Sequence, residues 1–355
     1  MSRRSASLLV AGLLLFALFS VAWMRPVPYV AMRPGPVQDT LGRFGGADIV
    51  RIGDQPTYPT AGRLDLTTVS VTAPTAQLTL GDALLAWFDP QRALVPRDLY
   101  YPPQQSVKEA ERESAVAMDS SQDTAIVAAL GELGYDVPFS VRVHDVAQGS
   151  PAQGRLRVGD VITHVNGAPV EAPTEVSTLV QQVAPGQRVT FGVRRSGQKI
   201  QVESGTQKAP DDSGRTIVGI TIAGDPRLPF DVSIELGERI GGPSAGLMFS
   251  MAIVDKLTPG AMTGGMHIAG TGTVGVNGVV GPIGGIGQKL AGADNAGATV
   301  FLVPADNCTA ARQASSSDLT LVKVTTLESA ITSVEKLAEN PEASVPSCRE
   351  WGPDA

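Results

Sequence analysis

The chain has 355 residues, 43 % of them hydrophobic, with 28 basic against 35 acidic side chains and an isoelectric point near 5.1. Such a length points to two or three domains, and the apolar fraction is ample for folded cores. The acidic balance, with no basic cluster, argues against a nucleic-acid partner.

Arg3 and Arg4 precede an uncharged stretch, residues 5–23, rich in Leu, Ala, Val and Phe, and twenty residues separate Arg4 from Arg25. As a helix that stretch reads as a transmembrane anchor. The leading arginines then place the amino terminus in the cytoplasm and the bulk outside, with lipid as a partner. A cleaved signal peptide ending near residues 20–22 is the alternative reading. Residues 26–136 read as a membrane-proximal, β-rich segment and helix. Strands are expected at 49–52 and 63–71, and a short helix at 80–88 with Thr79 or Leu80 near its start. A longer helical pattern follows over 105–133, where Met118 and the pair Ser120-Ser121 are candidate interruptions.

From residue 137 to 208 the pattern changes. Strand alternation at 139–143 leads to Gly149-Ser150-Pro151-Ala152. Then comes Val158-Gly159-Asp160-Val161-Ile162-Thr163-His164-Val165-Asn166-Gly167, a strand ended by an Asn-Gly turn. A helix is expected over 174–183, and a hairpin turns at Arg195-Ser196-Gly197. The Gly-Ser-Pro-Ala and Gly-Asp-Val-Ile-x-x-Val-Asn-Gly blocks resemble a PDZ domain. The resemblance implies capture of a peptide as an added strand. The segment just before Phe139 is only loosely like that family's Gly-Leu-Gly-Phe loop. His144 and His164 read as strand-surface residues, and no metal site is expected.

Residues 209–215 read as a polar linker, followed by strand alternation over 216–222 that opens a last block, 209–340. A second strand pattern, 230–236, runs into Gly241-Gly242-Pro243-Ser244-Ala245-Gly246 and a helix-like run to residue 257. Pro suits a first helical turn. Ser244 would then sit where unpaired N–H groups favour developing negative charge. A helix-capping serine is the bland alternative. Serine needs a base. His267 has no acidic neighbour close in sequence. Lys289 is one of only seven lysines, follows a Gly-rich stretch, and has no carboxylate in the four residues before it. Such surroundings suit a lysine kept neutral by desolvation.

Several ordered motifs resemble the proteolytic domain of Lon-type serine peptidases: Gly242-Pro243-Ser244-Ala245-Gly246, Thr271-Gly272-Thr273-Val274, Gly278, and Pro282-Ile283-Gly284-Gly285 with Lys289. Gly297-Ala298-Thr299-Val300-Phe301-Leu302-Val303-Pro304 and Asn307 look like the strand and loop that close that domain. The resemblance spans about residues 217–338. It implies Ser244 as nucleophile and Lys289 as general base, with Thr271 holding the lysine and Gly242, Pro243 and Ala245 shaping the loop. Many Lon sequences carry Asp before Gly-Pro-Ser, and this chain has Gly241.

Residues 341–355 read as a tail, which a bridge between Cys308 and Cys348 would pin to the domain, two separate thiols being the alternative. The sequence contains neither G-x-x-x-x-G-K-[ST] nor H-E-x-x-H, so no nucleotide, zinc or other cofactor is expected. The fold class expected is α+β multidomain: transmembrane helix, β-rich segment, PDZ-like domain and Lon protease-like domain. The function expected is ATP-independent, membrane-anchored, extracytoplasmic cleavage of peptides and of unfolded or membrane proteins. A homo-oligomer is left open by the resemblance, as is a catalytically silent, membrane-tethered binding scaffold.

Overall fold

The computed structural model of the chain describes residues 3–101, 107–170, 173–209, 215–237, 240–314 and 319–348. The first helix, α1 (Arg3–Trp23), has side chains described from residue 7 onward. Among the described residues no helix is long and apolar enough to cross a membrane. This finding overturns the expected transmembrane segment, and with it the single-pass cell-membrane location. The apolar composition of residues 5–23 made a helix, but not one long and apolar enough to cross.

After α1 the main strand β1 (Tyr29–Asp39) runs antiparallel to β2 (Arg63–Val71). Helix α2 (Leu80–Phe88) starts at Thr79, whose hydroxyl accepts from the Asp82 N–H at 3.1 Å. Strand β3 (Ala93–Pro96) then closes the outer edge beside β1. Helix α3 (Val107–Glu132) follows. Its second half is its apolar half, and Ala125, Ala129 and Leu130 are fully buried.

A second sheet begins with β4 (Phe139–Val146) and β5 (Val161–Val165). Helix α4 (Pro173–Gln181) and the hairpin β6 (Arg188–Arg195) and β7 (Gln198–Gly205) follow, then β8 (Ile220–Pro226). Their order across the sheet is β7-β6-β5-β4-β8, antiparallel throughout. Val141, Val143, Ile162, Val189, Phe191 and Val193 fill its core. The alternation at 216–222 was expected to open the last block. The structure instead lays Ile220–Pro226 beside β4. Local alternation names a strand, but not the sheet it joins.

The remaining elements return to the first sheet. Helix α5 (Gly246–Leu257) is buried over Gly246 to Asp255. Strand β9 (His267–Gly270), helix α6 (Ile286–Asn295), β10 (Val300–Pro304), β11 (Thr320–Val324) and α7 (Leu327–Glu339) follow. The sheet order is β11-β10-β9-β2-β1-β3, with β11, β10, β9 and β2 parallel. All five residues of β10 are buried, as a central parallel strand demands. Helix α7 starts with a capping box in which Ser329 N–H donates to Thr326 Oγ1 and Thr326 N–H to Ser329 Oγ. Strands from both ends of the sequence therefore share one sheet, and the β4–β8 sheet lies between them in the chain.

Cys308 and Cys348 are bridged, with Cα atoms 5.1 Å apart. Both cysteines are fully buried beside Phe301 and Val303. Closing a loop of this sequence separation, 40, contributes about 4 kcal/mol on the chain-entropy estimate.

Candidate active site

Three segments meet at one end of the parallel strands. The first is the loop Gly241 to Ala245 ahead of α5. Gly242 has φ 85°, a backbone conformation that lets the chain turn sharply before Pro243. The helix begins at Gly246, so Pro243 and Ser244 lie in the turn before it rather than in its first turn. The reason is local. The Ser244 carbonyl accepts from Gly272 N–H at 2.9 Å and from Thr271 Oγ1 at 2.9 Å, so it is committed outside the helical ladder. Ala245 is the N-cap, and no side chain caps the helix. The Ser244 hydroxyl is therefore not serving as a cap.

The second segment leaves β9. Thr67 on β2 donates its hydroxyl to the Gly270 carbonyl at 3.1 Å, and Thr271 follows, fully buried. The third is the start of α6. Gly285 (φ 68°) precedes it, packed so closely on β2 that a Cβ would lie 2.7 Å from Val69 Cγ2. One turn later Lys289 N–H donates to Gly285 O at 3.1 Å, which aims the lysine from the helix start toward the first two segments.

Lys289 Nζ lies 2.7 Å from Ser244 Oγ and 2.8 Å from Thr271 Oγ1. The lysine is 3 % exposed. Burial alone pulls its pKa down to about 8, since no carboxylate stands near enough to hold the charged form. Thr271 has one hydroxyl proton, and it goes to the Ser244 carbonyl. Its oxygen can therefore only accept from Lys289. When the amine is neutral, one N–H goes to Thr271 and the lone pair is left facing the Ser244 hydroxyl. The N–H groups of Ser244 and Ala245 donate to no acceptor among the described residues. Two unpaired donors beside a serine hydroxyl are what a developing oxyanion needs.

Sequence reasoning brought Ser244, Thr271 and Lys289 to one place together with Gly242, Pro243 and Ala245. It missed Ser114 and Ser121 on α3. Gly242 N–H donates to Ser114 O at 3.1 Å, and Ser121 Oγ donates to Pro243 O at 3.0 Å. The one signal available was the pair Ser120-Ser121 within a helical run. His267 also has a partner that its neighbours in sequence hide. Its Nε2 lies 2.6 Å from Asp65 Oδ2, 202 residues away. That pair sits at the start of β9, about four residues of strand from Thr271, and among the described residues His267 makes no hydrogen bond to Ser244.

The β4–β8 sheet offers a second feature. β4 is flanked by β5 and β8, so a peptide cannot pair with it. The end strands are β7 and β8; β8 has no strand on its outer side among the described residues, and helix α4 packs near it. Gly219, with φ 79°, leads into that strand. A peptide-binding loop was sought before Phe139; the available edge belongs instead to the strand after Val218-Gly219.

Comparison with known proteins matches both halves. A PDZ domain profile matches residues 107–204, and a profile of the Lon protease (S16) C-terminal proteolytic domain matches residues 239–336. Over 132 residues the chain is 28 % identical to a probable periplasmic serine endoprotease, DegP-like, of Ectopseudomonas mendocina (strain ymp), covering 32 % of this chain and 28 % of that protein. Over 81 residues it is 37 % identical to Lon protease 1 of Bacillus subtilis (strain 168), covering 22 % of this chain and 10 % of that protein. The chain thus spans well under two thirds of either relative. Among solved structures, the PDZ domain of an SdrC-like protein from Listeria monocytogenes matches at 24 % identity, over 23 % of this chain and 85 % of that one, with a TM-score of 0.22.

Proposed function

We propose that the chain is a serine endopeptidase working through a Ser244–Lys289 dyad, with peptides or unfolded proteins as substrates. The observation that carries this reading is the 2.7 Å contact between Ser244 Oγ and a buried lysine whose pKa is lowered to about 8. Neutral Lys289 takes the Ser244 proton as Oγ attacks the peptide carbonyl, and the carbonyl oxygen gains negative charge. The N–H groups of Ser244 and Ala245, at the N-terminal end of α5, stabilise that charge. The protonated lysine then gives its proton to the leaving amine, and the acyl group stays on Ser244. Water, deprotonated by Lys289, releases the acyl group and restores the hydroxyl. Thr271 keeps the amine aimed throughout. No nucleotide enters these steps, and the sequence has no phosphate-binding loop.

The PDZ domain match and the DegP-like and Lon relatives support a peptide or protein substrate. In this reading the substrate is recruited as an added strand along β8. The test is cleavage of a fluorogenic peptide library by the purified chain and by Ser244→Ala. We expect the variant to lose at least about 10³-fold in kcat/KM. Undiminished cleavage by Ser244→Ala would overturn the proposal. A binding scaffold without catalysis would show peptide binding in both proteins and cleavage in neither.

A further inference from the structure

The nucleophile loop is held from behind by α3, and the way it is held fixes a direction. Ser121 is 6 % exposed and donates to the Pro243 carbonyl at 3.0 Å. One loop residue earlier, Gly242 N–H donates to Ser114 O, and Gly241 lies so close to α3 that a Cβ would meet Ser114 Oγ at 2.1 Å. The Pro243 carbonyl and the Ser244 N–H belong to one planar peptide unit, which is trans, since no cis peptide bond occurs among the described residues. In a trans unit the C=O and N–H point in opposite directions. A hydroxyl that draws the carbonyl toward α3 therefore turns the Ser244 N–H away from it, on the side where no described residue accepts it.

That plane can turn only through ψ of Pro243 and φ of Ser244, since the proline ring fixes its own φ. Two glycines precede it and resist little. Among the described residues Ser121 is the only side chain that donates to the Pro243 carbonyl. We propose that Ser121 is a positioning residue for catalysis: by holding the Pro243 carbonyl it aims the Ser244 N–H at the oxyanion. The inference rests on the peptidase reading and adds to it a residue that lies outside the dyad and 122 positions from its hydrogen-bond partner.

A merely structural role for Ser121 is separable from this one, because the same α3–α5 seam contains a built-in control. Ser250 on α5 is fully buried and donates to Ala125 O on α3 at 3.0 Å and to Gly246 O at 3.0 Å, without touching the 243–244 peptide. The experiment compares the full chain with Ser121→Ala, Ser250→Ala and Ser244→Ala. It measures kcat, KM, the pH midpoint, the melting temperature and the Kd of a peptide aldehyde, whose adduct carries the oxyanion. Loss of one oxyanion donor costs about 10²–10³-fold in kcat, and a misaimed donor should cost at least about tenfold. We expect that loss in Ser121→Ala, with KM within about twofold, the aldehyde weakened in parallel and the pH midpoint unmoved. Ser250→Ala should lose melting temperature and keep kcat within about twofold. If Ser121→Ala fails to fold, the near-isosteric Ser121→Cys, a weak donor, carries the same test with a smaller loss. A wild-type kcat in the Ser121 variant, an equal loss in Ser250→Ala, or a shifted pH midpoint overturns the inference while Ser244→Ala remains inactive. Full activity in Ser244→Ala would instead remove the peptidase reading and this inference with it.

Discussion

Lys289→Met should be catalytically dead and yet more stable than the parent chain. Removing the base leaves Ser244 as an ordinary hydroxyl, and we expect kcat/KM for peptide cleavage to fall at least about 10³-fold. The stability gain follows from the same burial that makes the lysine a base. Its pKa is about 8 in the folded chain against a model value of 10.5. Below about pH 8 the folded state therefore carries an ammonium group that the unfolded state hydrates, at a cost of ~3 kcal/mol. Methionine is similar in length and apolar, so the variant avoids that cost. Ser244 keeps partial access to water, and Thr271 keeps the Ser244 carbonyl as acceptor. Denaturant unfolding at pH 7 should show Lys289→Met stabilised by about 1–3 kcal/mol. A variant that is inactive because it is unfolded would show the reverse and would say nothing for the base.

The second large effect is on the pH profile. A group whose folded pKa is depressed from 10.5 to about 8 binds fewer protons in the folded than in the unfolded chain between those values. Stability from this group therefore rises with pH across that window and gains nothing below it. Activity follows the neutral amine. With a pKa of about 8, about a tenth of the lysines are neutral at pH 7 and about nine tenths at pH 9. The kcat/KM of the parent chain should rise close to tenfold between pH 7 and pH 9 and then level. A histidine base would instead level near neutrality. A profile flat from pH 6 to pH 9 contradicts a lysine base.

The site was largely legible because its three parts each carry a local signature. Glycines mark the turn before Ser244 and the start of α6, and the spacing of 45 residues between Ser244 and Lys289 accompanies ordered motifs between them. The Thr79 cap and the apolar run of β10 were legible for the same reason: neighbours in sequence decide them. What was not legible is long-range. Nothing local says that β2, from the amino-terminal third, pairs with β9 and supports both Gly270 and Gly285. Nor does anything local say that β8 completes the sheet of β4, or that Asp65 meets His267. Ser121 is the sharpest case. In sequence it is one polar residue among several, Asp119-Ser120-Ser121-Gln122-Asp123, and only the folded seam gives it an acceptor. The anchor failed for another reason. Composition over residues 5–23 reports apolarity, whereas crossing a bilayer needs a helix both long and apolar enough, and among the described residues none is.

One helix touches both the PDZ-like sheet and the helix that follows Ser244. Helix α3 packs on α5 and on β8, and Arg112 at its start pairs with Asp145 on β4 at 3.0 Å. The helix that packs on the edge of the PDZ-like sheet is thus also the one that grips the loop bearing Ser244.

The central claim is that Ser244 Oγ becomes covalently acylated with Lys289 as base. Its most direct measurement is acid quenching of the full chain during turnover of an activated peptide ester, with mass spectrometry of the digested protein. The account predicts one acyl group, on Ser244, absent from Ser244→Ala and from Lys289→Met at neutral pH. Turnover by the parent chain with the acyl group on another side chain, or with no covalent adduct on the timescale of a single turnover, would contradict it.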